Sequence, residues 1–293
     1  MKLLRYRHND DIKVGALLDD RVLYLGSLGF ETMSGIIEGG EAALDRIAAH
    51  ISSARVDAAV SSIALADVTL LAPLERPSKY LAIGMNYGKH VEESNKLGVA
   101  RSKHQVWFNK QTSCICGPHD DIDPGVTEKL DYEVELGFVI GKQAKCISEN
   151  DARDYVFGYL VANDVSARDW QFHSSTFTMG KSFDTHGPIG PWIVTADEIP
   201  DPHALALRCY VNGELRQDSV TSCMIANVWQ QIAYLSLAFT LYPGDLIATG
   251  TPEGVGIGMD PQTFLRPGDV VRCEIDRIGA IQNTVVAPSR ERS

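Results

Sequence analysis

The chain is short of basic residues, of grouped cysteines and of long apolar runs. Its 293 residues hold 27 Lys and Arg against 38 Asp and Glu, a formal net charge of -11. A phosphate-rich partner requires clustered Lys and Arg, and no such cluster stands out, which argues against a nucleic-acid surface. No stretch approaches the length of a membrane span and residues 1–10 lack an apolar signal core, so no membrane partner and a cytoplasmic location are expected. The six cysteines, Cys114, Cys116, Cys146, Cys209, Cys223 and Cys273, are scattered. They signal neither a disulfide framework nor a zinc ribbon, and Cys114 and Cys116, inside an apolar run, read as packed thiols. The Gly-rich run 250–256 lacks the spacing of a P-loop or dinucleotide fingerprint, although its backbone amides could face an anionic group. Internal repeats are also missing.

Hydrophobic content of 44% and charged content of 22% are those of an ordinary globular protein, and the length suits about two domains. Residues 1–72 read as a small N-terminal α+β unit. Short strands are expected at 2–5, 13–17 and 21–25, a helix at 32–51 and a strand at 61–71; Met33, Ile36, Ile37, Ala43, Leu44, Ile47 and Ala48 keep a period near 3.6. Residues 71–77, with Pro73 and Pro77, read as a linker into a second unit, 73–293. That unit is strand-rich, with apolar runs at 79–84, 105–110, 158–163 and 270–275. Asn212-Gly213 marks a hairpin turn, residues 227–239 an amphipathic helix, and the Gly- and Pro-rich 179–191 a loop of fixed shape.

The chemistry gathers around 131–142, Asp-Tyr-Glu-Val-Glu-Leu-Gly-Phe-Val-Ile-Gly-Lys. As a strand, this stretch sends Asp131, Glu133 and Glu135 to one face, where like charges repel unless a cation lies between them. A divalent ion taking oxygen ligands is one reading, and an acid-guarded sheet edge is the other. Asp164, at the polar end of an apolar strand, is either a third ligand or a helix N-cap. His90 and Glu93 lie three apart on a short polar helix, so they form either a general base with its orienting carboxylate or a solvated pair. Lys110 ends an apolar strand as a gatekeeper would. Lys181 is placed to hold a substrate carboxylate or developing oxyanion, or lies in solvent. His186 reads as a hydrogen-bonded loop histidine, with ligand or base as the sharper option. Trp107, Phe108, Trp170 and Phe172 are either an apolar wall for substrate or core.

Five ordered motifs span residues 75–286: Gly84-x-Asn86-Tyr87, Asp131-Tyr132-Glu133-Val134-Glu135-Leu136, Asn163-Asp164-x-x-x-Arg168-Asp169-x-Gln171, Lys181-Ser182-Phe183-Asp184-Thr185 and Gly250-Thr251-Pro252-x-Gly254-Val255-Gly256. Together they resemble the fumarylacetoacetate hydrolase family, in its branch with a short N-terminal domain. The resemblance implies an α+β, strand-rich fold with a mixed β-roll or sandwich catalytic domain, usually a homodimer. It implies Mg2+ or Mn2+ on Glu133, Glu135 and Asp164, with Asp131 in the motif but not a ligand. His90 and Glu93 match the family's dyad on a lid segment. Lys181 and Gln171 would line the substrate site, Thr251 would contact the substrate carboxylate, and Asn86, Tyr87, Lys110 and Arg168 are further candidates. Met85 and His186 depart from common family residues.

The implied reaction is hydrolysis of a carbon-carbon bond in a 2,4-dioxo acid of acylpyruvate type, giving pyruvate and a carboxylic acid. Decarboxylation of a 2-oxo acid and enol-keto isomerisation are the alternatives, since both use the same stabilised enolate. The implied partner is a small anionic 2-oxo acid. A metal- and diacid-binding sensor is the non-enzymatic alternative, and the dyad argues against it.

Overall fold

The computed structural model describes residues 1–57, 60–96, 98 and 102–289. The N-terminal quarter contributes β1 (Lys2–His8), β2 (Asp11–Leu18), β3 (Arg21–Tyr24), α1 (Met33–Val56), β4 (Ser62–Ala64) and β5 (Thr69–Leu71). Thr32 caps α1 by accepting from the Gly35 amide, and Gly40 breaks the helical backbone where the glycines weaken it. Next come β6 (Tyr80–Gly84), α2 (Gly88–Lys96), β7 (Val106–Lys110), β8 (Ile115–Cys116), β9 (Leu130–Asp131), β10 (Val134–Ile140), β11 (Val156–Asn163), β12 (Ser166–Ala167) and α3 (Arg168–Gln171). The chain closes with β13 (Gly187–Thr195), β14 (Ala206–Val211), β15 (Glu214–Val220), α4 (Val228–Ala238), β16 (Leu246–Ala248), β17 (Val270–Ile275) and β18 (Gly279–Thr284).

One large mixed sheet runs β4-β3-β2-β1-β13-β11-β10-β16-β6-β7, with β5 on β1 and β8 on β13. Its pairs are antiparallel except β16 with β6 and β13 with β8. A four-stranded sheet, β15-β14-β17-β18, covers one face. Alternation along the central strands divides two cores. Leu136, Phe138, Tyr159 and Val161 pack toward Leu207, Cys209, Cys273 and α4, while Val139, Leu160 and Ala162 pack toward Ile36 and Ile47 of α1. Both faces of β10 and β11 are therefore buried, which is why these strands read as continuous apolar runs.

The large sheet crosses the expected linker, because Lys2 pairs with Val194 and Leu3 with Ile193. Residues 1–72 also form a small cluster around Leu4, Tyr6, Val22 and Leu70, against which Trp192 of β13 packs. A division at residue 72 accordingly remains a proposal about independent folding. No helix among the described residues is long and apolar enough to cross a membrane.

Three expectations are corrected. The single strand at 61–71 is two short strands separated by a 3-10 turn at Leu65–Asp67. Residues 187–191 are not loop but the start of β13, despite two prolines, because β8, β11 and β1 each take only part of its length. The acidic stretch breaks after Asp131: β9 pairs with β12 in its own small sheet, and β10 begins only at Val134. The hairpin turn agrees with expectation, Asn212 and Gly213 both having positive φ (52° and 82°).

Candidate active site

The start of β10 and the end of β11 build the site. The register Val134↔Asn163 sets Glu133 beside Asp164, and the Asp164 amide donates to the Glu133 carbonyl at 2.9 Å. Carboxylate oxygens of Glu133, Glu135 and Asp164 all lie within 4.8 Å of one another, and the three residues are buried. The sheet-edge reading fails here, because β10 is flanked by β11 and β16. The N-cap reading fails too, since α3 is preceded by Ala167 rather than by Asp164.

Buried cations hold the acids together. Lys181 Nζ donates to Glu133 Oε2 at 2.7 Å and to Asp164 Oδ2 at 2.8 Å, and Lys110 Nζ to Asp164 Oδ1 at 2.5 Å. The Arg168 guanidinium meets Glu133 Oε1 at 2.7 Å. Burial works against a charged Glu133, yet Lys181 and Arg168 hold its carboxyl down at about 2. Among the described residues Glu135 has no such partner and receives the Gly250 amide alone, at 2.7 Å. Burial first, then the neighbouring Asp164 and Glu133, push its carboxyl well above the ordinary range. With Asp131, four buried carboxylates face three buried cations. A divalent ion would supply the missing charge, and a donor set made only of carboxylate oxygens suits Mg2+ or Mn2+.

Asp131 stands outside the grouped three carboxylates and does a different job. Its carboxylate accepts from the amides of Tyr132 (2.9 Å), Gly256 (2.7 Å) and Ile257 (3.0 Å) and from Arg168 Nε (2.8 Å). It thus fastens the Gly-rich loop to the arginine that holds Glu133. The amides of that loop do face anions, all of them the chain's own: Gly250 faces Glu135, Gly254 faces Glu93, and Gly256 and Ile257 face Asp131.

A cavity of about 170 Å³ opens over the triad, lined by His90, Gln171, Lys181 and Thr251 and by apolar side chains that include Phe108 and Phe172. His90 Nδ1 lies 3.0 Å from Glu93 Oε2, so the carboxylate orients the ring and leaves Nε2 free as a base. Glu93 in turn accepts from the Gly254 amide at 2.9 Å, which docks α2 on the Gly-rich loop. The solvated-pair reading is overturned, the two side chains being 12% and 18% exposed.

The other candidates divide by position. Gln171 accepts from Arg168 Nη1 at 3.0 Å, and Thr251 donates to the Val134 carbonyl at 2.9 Å, so each is held on the cavity wall. Lys110 is buried beneath Asp164, not a gatekeeper, and also meets the Lys181 carbonyl. Asn86 spends its amide on Ala226 and Thr249 backbone groups, and Tyr87 is buried in the core, so neither lines this cavity. His186 is no ligand of the triad; it is buried, stacks on Phe183 and bonds the Asp123 carbonyl at 3.0 Å through Nε2. Trp107 packs against the core, and Trp170 meets Phe183 edge to face rather than lining the cavity. Phe177 and Ile257 are cavity residues that the sequence reading missed, since both sit in irregular segments without a periodic pattern.

A buried carboxylate triad at strand ends, with cations behind it and a histidine-glutamate pair over it, defines a metal-dependent enzyme acting on a small molecule. The family model described as fumarylacetoacetate (FAA) hydrolase C-terminal matches residues 79–286, and the chain belongs to that family. The chain is 43% identical to oxaloacetate tautomerase fahd2, mitochondrial, of Xenopus laevis over 297 aligned positions, covering 98% of this chain and 90% of that one. Among solved structures, fumarylacetoacetate hydrolase of Exiguobacterium antarcticum superposes with a TM-score of 0.83 at 35% identity, covering 98% and 99% of the two chains. Maleylpyruvate hydrolase of Sphingobium sp. SYK-6, solved with manganese(II) and pyruvate, gives a TM-score of 0.81 at 30% identity, covering 99% of this chain and all (100%) of that one.

Proposed function

We propose that the chain interconverts the enol and keto forms of a 2-oxo acid, with oxaloacetate as the first substrate to try. The carrying observation is the full-length relationship, at 43% identity, to a protein named for that activity. The site chemistry agrees with it. A divalent ion held by Glu133, Glu135 and Asp164 would chelate the carboxylate and 2-oxo group and stabilise negative charge on the C2 oxygen. Thr251 and Gln171 orient the acid against the triad. His90, its tautomer set by Glu93, carries a proton at Nε2 between C3 and the C2 oxygen. Lys181 supports the oxyanion electrostatically, and Phe108 and Phe172 exclude water from the cavity.

Hydrolysis of a 2,4-dioxo acid is the second reading. The likeness to maleylpyruvate hydrolase favours it, and the same His90 would then deprotonate water. One experiment separates these readings. The Mg2+-loaded protein is mixed with enol-oxaloacetate, with keto-oxaloacetate and with a short acylpyruvate, while enol absorbance and pyruvate are followed together. Accelerated loss of enol without pyruvate supports the tautomerase. Pyruvate from the acylpyruvate favours the hydrolase, and pyruvate from oxaloacetate a decarboxylase. Binding without any turnover across these acids leaves the sensor.

A further inference from the structure

A second cavity, of about 120 Å³, adjoins the one over the triad and shares Ile83, Gly84, Met85 and Val106 with it. Met85, in the left-handed backbone region at φ 58°, stands between the two. The far side of the second cavity carries Lys103 and His104, both exposed at its rim. Neither side chain has an ion-pair or hydrogen-bond partner among the described residues. The cations of the first cavity are all engaged: Lys181 by Glu133 and Asp164, and Arg168 by Asp131, Glu133 and Gln171. A second carboxylate on the substrate would meet three ligand carboxylates and no uncommitted cation there. Across Met85, the side chains of Lys103 and His104 are uncommitted among the described residues.

We propose that this adjoining cavity is the subsite for the distal carboxylate of a dicarboxylic 2-oxo acid, with Lys103 as its principal cation and His104 beside it. The inference rests on the 2-oxo acid reading of the triad and extends it by assigning the other end of the substrate. Met85 sets the separation between the two carboxylates, and the aromatic wall receives the carbon chain. The salt dependence of binding follows, because Lys103 acts at the water interface, where ions screen it.

The test uses binding rather than turnover. The Mg2+-loaded full chain is titrated calorimetrically, at low ionic strength, with 2-oxoglutarate and with 2-oxopentanoate, five-carbon acids that differ in the distal carboxylate. The expected result is a preference for the diacid of about tenfold, as one solvent-edge charge pair provides. The preference should fall to within about twofold in Lys103→Met/His104→Gln and persist in Lys103→Arg. Equal binding of both acids by the wild type, a preference that survives the double substitution, or binding of neither acid overturns the proposal. A preference that behaves as expected in a protein that leaves enol-oxaloacetate unchanged upholds the subsite while removing the tautomerase reading, so the two fail separately.

Discussion

His186 shows how one side chain writes itself into the stability of the molecule. Burial first, then the positive charge of Lys110, lower its pKa from 6.5 to about 3, and its Nδ1 has no hydrogen-bond partner among the described residues. Between those two values the unfolded chain binds a proton that the folded chain does not. Stability from this residue is therefore complete above pH 6.5 and is lost as pH falls toward 3. The slope is about 1.4 kcal/mol per pH unit. Urea unfolding at pH 7 and pH 5 should show His186→Phe losing less stability on acidification than the wild type by about 2 kcal/mol. His90 gives the contrasting prediction. It touches the cavity but none of the triad bonds, so His90→Ala should reduce kcat by a factor on the order of 10²–10⁴ while Mg2+ affinity, read by calorimetry, stays close to wild type.

At the level of elements, the Gly-rich loop 250–258 connects the base to the acids. Gly254 has a φ of 97°, and a Cβ there would fall 2.1 Å from the Arg216 carbonyl oxygen. Gly254→Ala must shift the loop and withdraw the amide that Glu93 accepts, so steady-state kinetics should show a fall in kcat with the triad intact. Asp131 is the loop's other fixture. Asp131→Ala leaves three backbone amides without their acceptor and removes one of the arginine's partners, which should cost about 3 kcal/mol in urea unfolding. These ties explain what could be read from the chain and what could not. Glu133, Glu135, Asp164, His90 and Glu93 were legible because each lies in a short motif at the end of a periodic segment. Period two sent Asp131 to the same face as the glutamates, and no local pattern reveals that the strand breaks after it. The break is imposed by loop amides 125 and 126 residues away, and by Arg168. The second cavity was equally silent, its Lys103 and His104 lying in a polar stretch with no motif.

For the whole molecule, the charge deficit at the centre predicts a response to metal. An ion that binds only the folded chain adds about 2.7 kcal/mol at a hundredfold excess over its Kd. Mg2+ or Mn2+ should raise Tm by several degrees in a thermal scan, and Glu135→Gln should abolish most of the increase. The homodimer implied by the resemblance is checked by light scattering after gel filtration; Tyr234 and Leu237 on α4, with Phe239 just beyond it, are exposed apolar side chains whose replacement by Glu should favour monomer if that face is used. The α+β, strand-rich architecture was readable from alternating runs and the Asn-Gly turn, whereas the order of strands was not, because pairing partners lie far apart in the chain. That distance has a consequence for synthesis. β1 is made about 190 residues before β13, with which it pairs at Lys2↔Val194. At 5–20 residues per second, roughly ten to forty seconds separate the two. Through that interval β1 has β2 and β5 to pair with but not β13, and a stalled ribosome that has not yet released residue 195 holds a sheet that cannot close.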